Sequence, residues 1–197
     1  MRRTKIVVMS YLRAFFITFA ILFLASCGDS EYEYSNYPCY FVFDNMGGRS
    51  HMLASAMNQN ASGTFCHIRT SGKSYIFSLN IKPGETEKVN FTAEDERRTL
   101  MLGIYNESGI IVGYGSYNNP ATFYAYDNQC RYCYEETGLS RYPLTMDTSG
   151  KASCARCKRV YDLNNGGFET TGGRQIRYHA TTSGPYWVFF FVNGREK

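Results

Sequence analysis

Apolar residues along this chain come in short, aromatic runs broken by polar and glycine-bearing segments, a pattern that predicts β-strands. Cys39-Tyr40-Phe41-Val42-Phe43, Thr64-Phe65-Cys66-His67-Ile68 and Ser74-Tyr75-Ile76-Phe77-Ser78-Leu79 are three such runs. Residues 99–105 and 110–114 flank Asn106-Glu107-Ser108-Gly109, which predicts a hairpin with a glycine-bearing turn. The final run, Tyr186-Trp187-Val188-Phe189-Phe190-Phe191-Val192, is apolar at consecutive positions, so a central strand buried on both faces is expected. Pro185 stands just before it, where a missing N–H does no harm. Only residues 93–98 and 52–57 suggest a helical turn or two. The expected fold class is all-β.

The N-terminus has a different pattern. Arg2, Arg3, Lys5 and Arg13 precede an apolar stretch that ends at Leu24-Ala25-Ser26-Cys27. That ending resembles the bacterial lipobox, which implies a signal peptide over residues 1–26 and lipidation of Cys27. The apolar run from Ala14 to Ala25 is short for a bilayer-spanning helix, which disfavours the transmembrane alternative. Residues 27–37, polar and acidic, read as a tether. The membrane is then a partner through the lipid anchor, and the expected location is the outer membrane or cell surface.

Removing the signal changes the charge balance. The whole chain carries 21 Lys and Arg against 17 Asp and Glu, but four of the basic residues lie in the signal. What remains is formally neutral and gives no electrostatic reason to expect nucleic acid. Seventeen tyrosines and eighteen glycines agree with short strands and tight turns. Gly166-Gly167 and Gly172-Gly173 read as such turns, because no strand–glycine–helix context makes them a phosphate cradle.

The candidate chemistry lies in four cysteines. Cys130-Arg131-Tyr132-Cys133 and Cys154-Ala155-Arg156-Cys157 are C-x2-C pairs separated by twenty residues, the spacing of a tetrahedral metal site. Each turn lets two sulfurs converge, and four thiolates suit Zn²⁺ or iron. Two disulfides stapling the turns are the competing reading. A dithiol exchange site is disfavoured, because no βαβ pattern surrounds either pair.

The flanks carry a resemblance. Phe123-Tyr124-Ala125-Tyr126-Asp127-Asn128-Gln129 precedes the first pair, and Lys158-Arg159-Val160-Tyr161-Asp162-Leu163-Asn164-Asn165-Gly166 follows the second. Together with Tyr142-Pro143-Leu144, these resemble the Rieske-type ferredoxin domain over residues 110–166. The resemblance implies an antiparallel β-sandwich with two metal-binding hairpin loops over residues 96–197, with residues 38–95 as an N-terminal β-rich layer. It places Cys130 and Cys154 on the family's cysteine ligands and Cys157 on its second-loop histidine. Tyr161, Asp162 and Gly166 fall on the aromatic, acidic and glycine positions that follow. The chain departs from the family in having no histidine in either loop, since His51, His67 and His179 lie elsewhere. An all-thiolate [2Fe–2S] centre would sit near −400 mV, on the order of plant-type values.

The expected cofactor is therefore Zn²⁺ or an iron centre, [2Fe–2S] or mononuclear, on Cys130, Cys133, Cys154 and Cys157. Export as an unfolded chain favours zinc, captured after folding. The expected role is ferredoxin-like electron transfer if the centre is iron, or a structural module if it is zinc. An envelope redox protein or surface partner would follow. The alternative is a surface glycan- or protein-binding lipoprotein in which the metal only fixes loops. No catalytic residues are assigned: four thiolates close the coordination sphere, and Asp127, Glu135 and Glu136 read as ordinary charged residues. Arg131, Arg156, Lys158 and Arg159 form a basic collar that would offset thiolate charge or orient an acidic partner. For Cys39 and Cys66, a disulfide and two buried free thiols are equally open.

Overall fold

The computed structural model describes residues 34–185 and 189–193. The expected signal peptide, Cys27 and the first part of the expected tether lie outside them. Among the described residues no helix is long and apolar enough to cross a membrane. The fold is mostly β, with two antiparallel sheets and a few short helices.

Eight strands make the larger sheet: β1 (Tyr40–Asp44), β2 (Phe65–Thr70), β3 (Ser74–Leu79), β4 (Glu87–Asn90), β5 (Ile110–Gly115), β6 (Thr122–Asp127), β11 (Arg177–Thr181) and β12 (Phe189–Asn193). Their order is β1-β12-β11-β6-β5-β2-β3-β4. The smaller sheet holds β7 (Leu144–Met146), β8 (Lys151–Cys154), β9 (Val160–Asp162) and β10 (Phe168–Glu169), in the order β10-β9-β8-β7. The helices are α1 (His51–Ala56), α2 (Ala93–Arg97) and α3 (Arg131–Thr137).

Period-two alternation builds two cores on opposite faces of the larger sheet. Ile110 and Val112 of β5 face one core, shared with Cys66 and Ile68 of β2 and Ala125 of β6. Ile111, Phe65, Tyr124 and Tyr126 face the other, against Leu144, Ala152, Tyr161 and Leu163 of the smaller sheet and its flank. The larger sheet is strongly coiled. β1 and β3 stand six places apart, a flat span of roughly 29 Å at about 4.8 Å per strand. Yet the rings of Phe43 and Phe77 are 5.3 Å apart, and those of Phe41 and Tyr75 are 5.5 Å apart. Twist accumulated across the strands brings the two ends around a shared core.

Three sequence expectations change. Residues 99–105 form no strand beyond a bridge between Met101 and Tyr40, and β5 pairs with β2 and β6 instead. Side-chain acceptors outcompete the ladder there: Asn106 Oδ1 takes the Leu102 N–H at 2.7 Å, and Asp127 Oδ2 takes that of Ile104 at 2.8 Å. Gly103, at φ +75°, lies against the Asp127 carboxylate where a Cβ would collide. Secondly, the first C-x2-C pair opens a helix, not a hairpin. Thirdly, strands from both sides of residue 95 enter one sheet. The closing apolar run does supply an interior strand, with β12 between β1 and β11.

The last residues of the expected tether are docked. Tyr34 stacks on His179 with ring centroids 3.5 Å apart, and the Ser35 N–H donates to the Arg177 carbonyl at 2.8 Å.

Candidate metal centre

The fold brings Cys130, Cys133, Cys154 and Cys157 together, and their four Sγ atoms all lie within 4.8 Å of one another. Two contacts cross between the pairs: Cys133 to Cys154 at 3.6 Å and Cys130 to Cys157 at 3.7 Å. Such a cluster can hold a metal ion. All four are free thiols, so the stapling disulfides are not formed.

Each pair is presented by different local structure. Cys130 follows β6 and is the N-cap of α3, with its own N–H donating to the Tyr142 carbonyl at 3.0 Å. The next turn of helix then carries Cys133 around to the same side. Gln175 secures this start: its Oε1 accepts the Arg131 N–H, and its Nε2 donates to the carbonyls of Asp127 and Gln129 at 2.7 Å. Gly138, in the left-handed region, ends the helix. On the other side, Cys154 closes β8 and Cys157 lies in the turn before β9. Lys158 N–H donates to the Cys154 carbonyl at 3.0 Å, and Lys158 takes φ +62°, the left-handed conformation that turns the chain into β9.

The sulfurs differ in how readily they carry negative charge. The backbone N–H groups of Cys157 and Arg156 favour the thiolate of Cys154, and that of Cys133 favours the thiolate of Cys130. Tyr161 places its hydroxyl 3.5 Å from Cys130 Sγ. Burial alone drives thiol pKa values upward, and it wins at Cys130 and Cys133. At Cys154 burial is outweighed by those N–H donors and the neighbouring thiols, so its pKa falls below the usual thiol value. A bound cation would supply the missing compensation for the other two.

The basic collar is largely neutralised within the protein. Arg131 pairs with Glu135 at 2.7 Å, Arg156 with Glu136 at 2.6 Å, and Arg159 with Glu169 at 2.6 Å. Arg156 also reaches the Cys133 thiol and covers the Tyr142 ring, and Arg159 lies over Tyr132. Glu135 and Glu136 thereby have structural duties, and Asp127 is buried, bonded by Tyr178 and the N–H groups of Ile104 and Gln129.

The remaining cysteines and histidines lie apart. Cys39 and Cys66 are free, buried in the first core, and burial pushes the Cys39 thiol up to about 12. They are not joined: Cys39 sits beside Gly103 and Asp127, whereas Cys66 sits beside Ser78. No histidine belongs to the thiol cluster among the described residues. His67 Nε2 bonds the Ser108 carbonyl at 2.6 Å, and His51 opens α1.

No protein-family model, curated protein or solved structure matches the chain. The site's meaning is carried by its own geometry. The residue that sequence reasoning missed is Gln175, whose position 44 residues from Arg131 leaves no motif to read.

Proposed function

We propose that this is a lipid-anchored envelope protein, Rieske-like in its metal unit, whose four cysteines hold one zinc ion as a structural clamp. It acts as a non-enzymatic binding module at the outer membrane or cell surface. The supporting observation is the sulfur geometry. A tetrahedron with metal–sulfur bonds of about 2.3 Å has edges of about 3.8 Å, close to the 3.6 Å and 3.7 Å cross-pair contacts. In a [2Fe–2S] centre the thiolates belong to two irons, and sulfurs on opposite irons stand on the order of 6 Å apart. A spread of no more than 4.8 Å favours one ion.

Four thiolates leave no open position for an activated water, so a hydrolytic role is excluded from this reading. The ion would tie the first turn of α3 to the β8–β9 turn. Elemental analysis with a visible spectrum of native protein tests the proposal. One zinc per chain and no visible bands are expected; two irons with acid-labile sulfide would overturn it.

A second reading keeps the single ion and makes it iron, for electron carriage. The Tyr161 hydroxyl on Cys130 Sγ favours it, since hydrogen bonds to sulfur tune the potential. One iron per chain with sulfur-to-iron charge-transfer bands would select it over zinc.

A further inference from the structure

Away from the thiols, two cavities meet on the surface of the larger sheet. The smaller, about 420 Å³, lies between β2 and the segment that joins α3 to β7, and His67, Arg69, Ser108, Arg141 and Leu144 line it. The larger, about 980 Å³, runs past Thr70, Ser71, Gly103 and Asn106. Arg69, Tyr105 and Glu107 line both, so the two adjoin.

Most arginines elsewhere have a carboxylate partner, although Arg174 instead lies over the Phe168 ring with its Nε unpaired. Arg49, Arg97, Arg98, Arg131, Arg156 and Arg159 each have a carboxylate partner. Arg69 and Arg141 have none among the described residues, although Arg69 is half-buried. The one carboxylate at the junction, Glu107, accepts the Tyr105 hydroxyl at 2.7 Å. The hydroxyl of Ser108, in the same wall, is buried without a hydrogen-bond partner. Arg141 is exposed with its guanidinium over the Tyr142 ring, and a ligand carboxylate can accept two parallel N–H bonds from a guanidinium that no protein carboxylate occupies. Tyr105 remains 42% exposed at the junction, with a ring face available for stacking. Beyond it the larger cavity offers the Ser71 hydroxyl and backbone groups, which suit a polyhydroxylated body.

We infer that this groove binds an acidic saccharide, with a uronate carboxylate between Arg69 and Arg141 and a sugar ring against Tyr105. The site depends on the metal clamp, and so on the reading above, only for placing one wall. Cys130 N–H holds the Tyr142 carbonyl, and Leu144 N–H holds that of Asn128, which together set the segment carrying Ser140 and Arg141.

Titration calorimetry of the intact protein with trigalacturonate, with maltotriose and sulfate as comparisons, tests this. Saturable binding of one trigalacturonate per chain is expected, at least tenfold tighter than maltotriose. Arg69→Gln and Arg141→Gln should each weaken it at least tenfold while metal content and melting temperature stay unchanged. Absence of saturable binding at millimolar ligand overturns the inference, as does equal affinity for maltotriose or full affinity in both variants. Displacement by equimolar sulfate would also overturn it, reducing the groove to a simple anion site. Because these variants keep the thiols, loss of saccharide binding is read separately from any failure to bind metal.

Discussion

The Cys133 and Cys154 thiols stand 3.6 Å apart, joining the first turn of α3 to the end of β8 across the second core. Nothing covalent spans this contact, since both are free. An ion held by all four thiols would supply the link, and its binding free energy becomes folding free energy.

Cys154→Ser should therefore release the metal and lower stability. A loss of about 3 kcal/mol corresponds to a melting temperature lower by roughly 6–12 °C for a domain of this size. The larger core has no part in the site, so the variant should remain folded below its melting point. Metal content and a thermal melt, measured together, check this; wild-type values for both would remove Cys154 from the ligand set.

Lys158 is the non-glycine residue in the left-handed region among those described. The conformation costs a side-chain-bearing residue about 1–2 kcal/mol, offset in part by the greater chain entropy that glycine loses on folding, roughly 0.5–1 kcal/mol. Lys158→Gly should stabilise the protein by about 0.5–1 kcal/mol with metal affinity unchanged. Denaturant midpoints of the two proteins provide the comparison.

Asp127 gives a pH signature with a definite sign. Burial pushes its carboxyl up to about 6, against the opposing bonds from Ile104, Tyr178 and Gln129. The folded state therefore holds a proton that the unfolded chain releases near pH 4. Its contribution is complete below that pH and is lost as pH rises through about 6, a decline of about 3 kcal/mol at 1.36 kcal/mol per pKa unit. His67, whose pKa burial lowers, acts with the opposite sign, its contribution being lost as pH falls. The stability gap between wild type and Asp127→Asn isolates the carboxyl. It should be largest at pH 4 and shrink toward pH 6.5; a constant gap would show that Asp127 is already ionised in the acidic protein.

For the envelope assignment, Cys27→Ser should abolish incorporation of labelled fatty acid and release the protein from membranes. Continued labelling of the variant would reject the lipobox assignment.

The C-x2-C spacing made the thiol cluster legible, because two sulfur-bearing turns at that separation have few other uses. Strands such as β3, bounded by polar turn residues, were legible for the same local reason. The helix at Cys130 was not, since its start depends on Gln175 and on the Tyr142 carbonyl, both remote in sequence. Nor was the loop before β5, where Asn106 and Asp127 side chains take N–H groups that a strand pattern assigns to a neighbour. The coiling that brings Phe43 to Phe77 is a property of the whole sheet. Arg69 and Arg141 belong to no motif of the sequence, and only the fold places both on one cavity, beside Glu107.

X-ray absorption at the metal edge of the purified protein measures the central claim most directly. One zinc with four sulfur neighbours at about 2.3 Å and no metal–metal scattering is the expected result. A short metal–metal vector, or a first shell with fewer than four sulfurs, would contradict it.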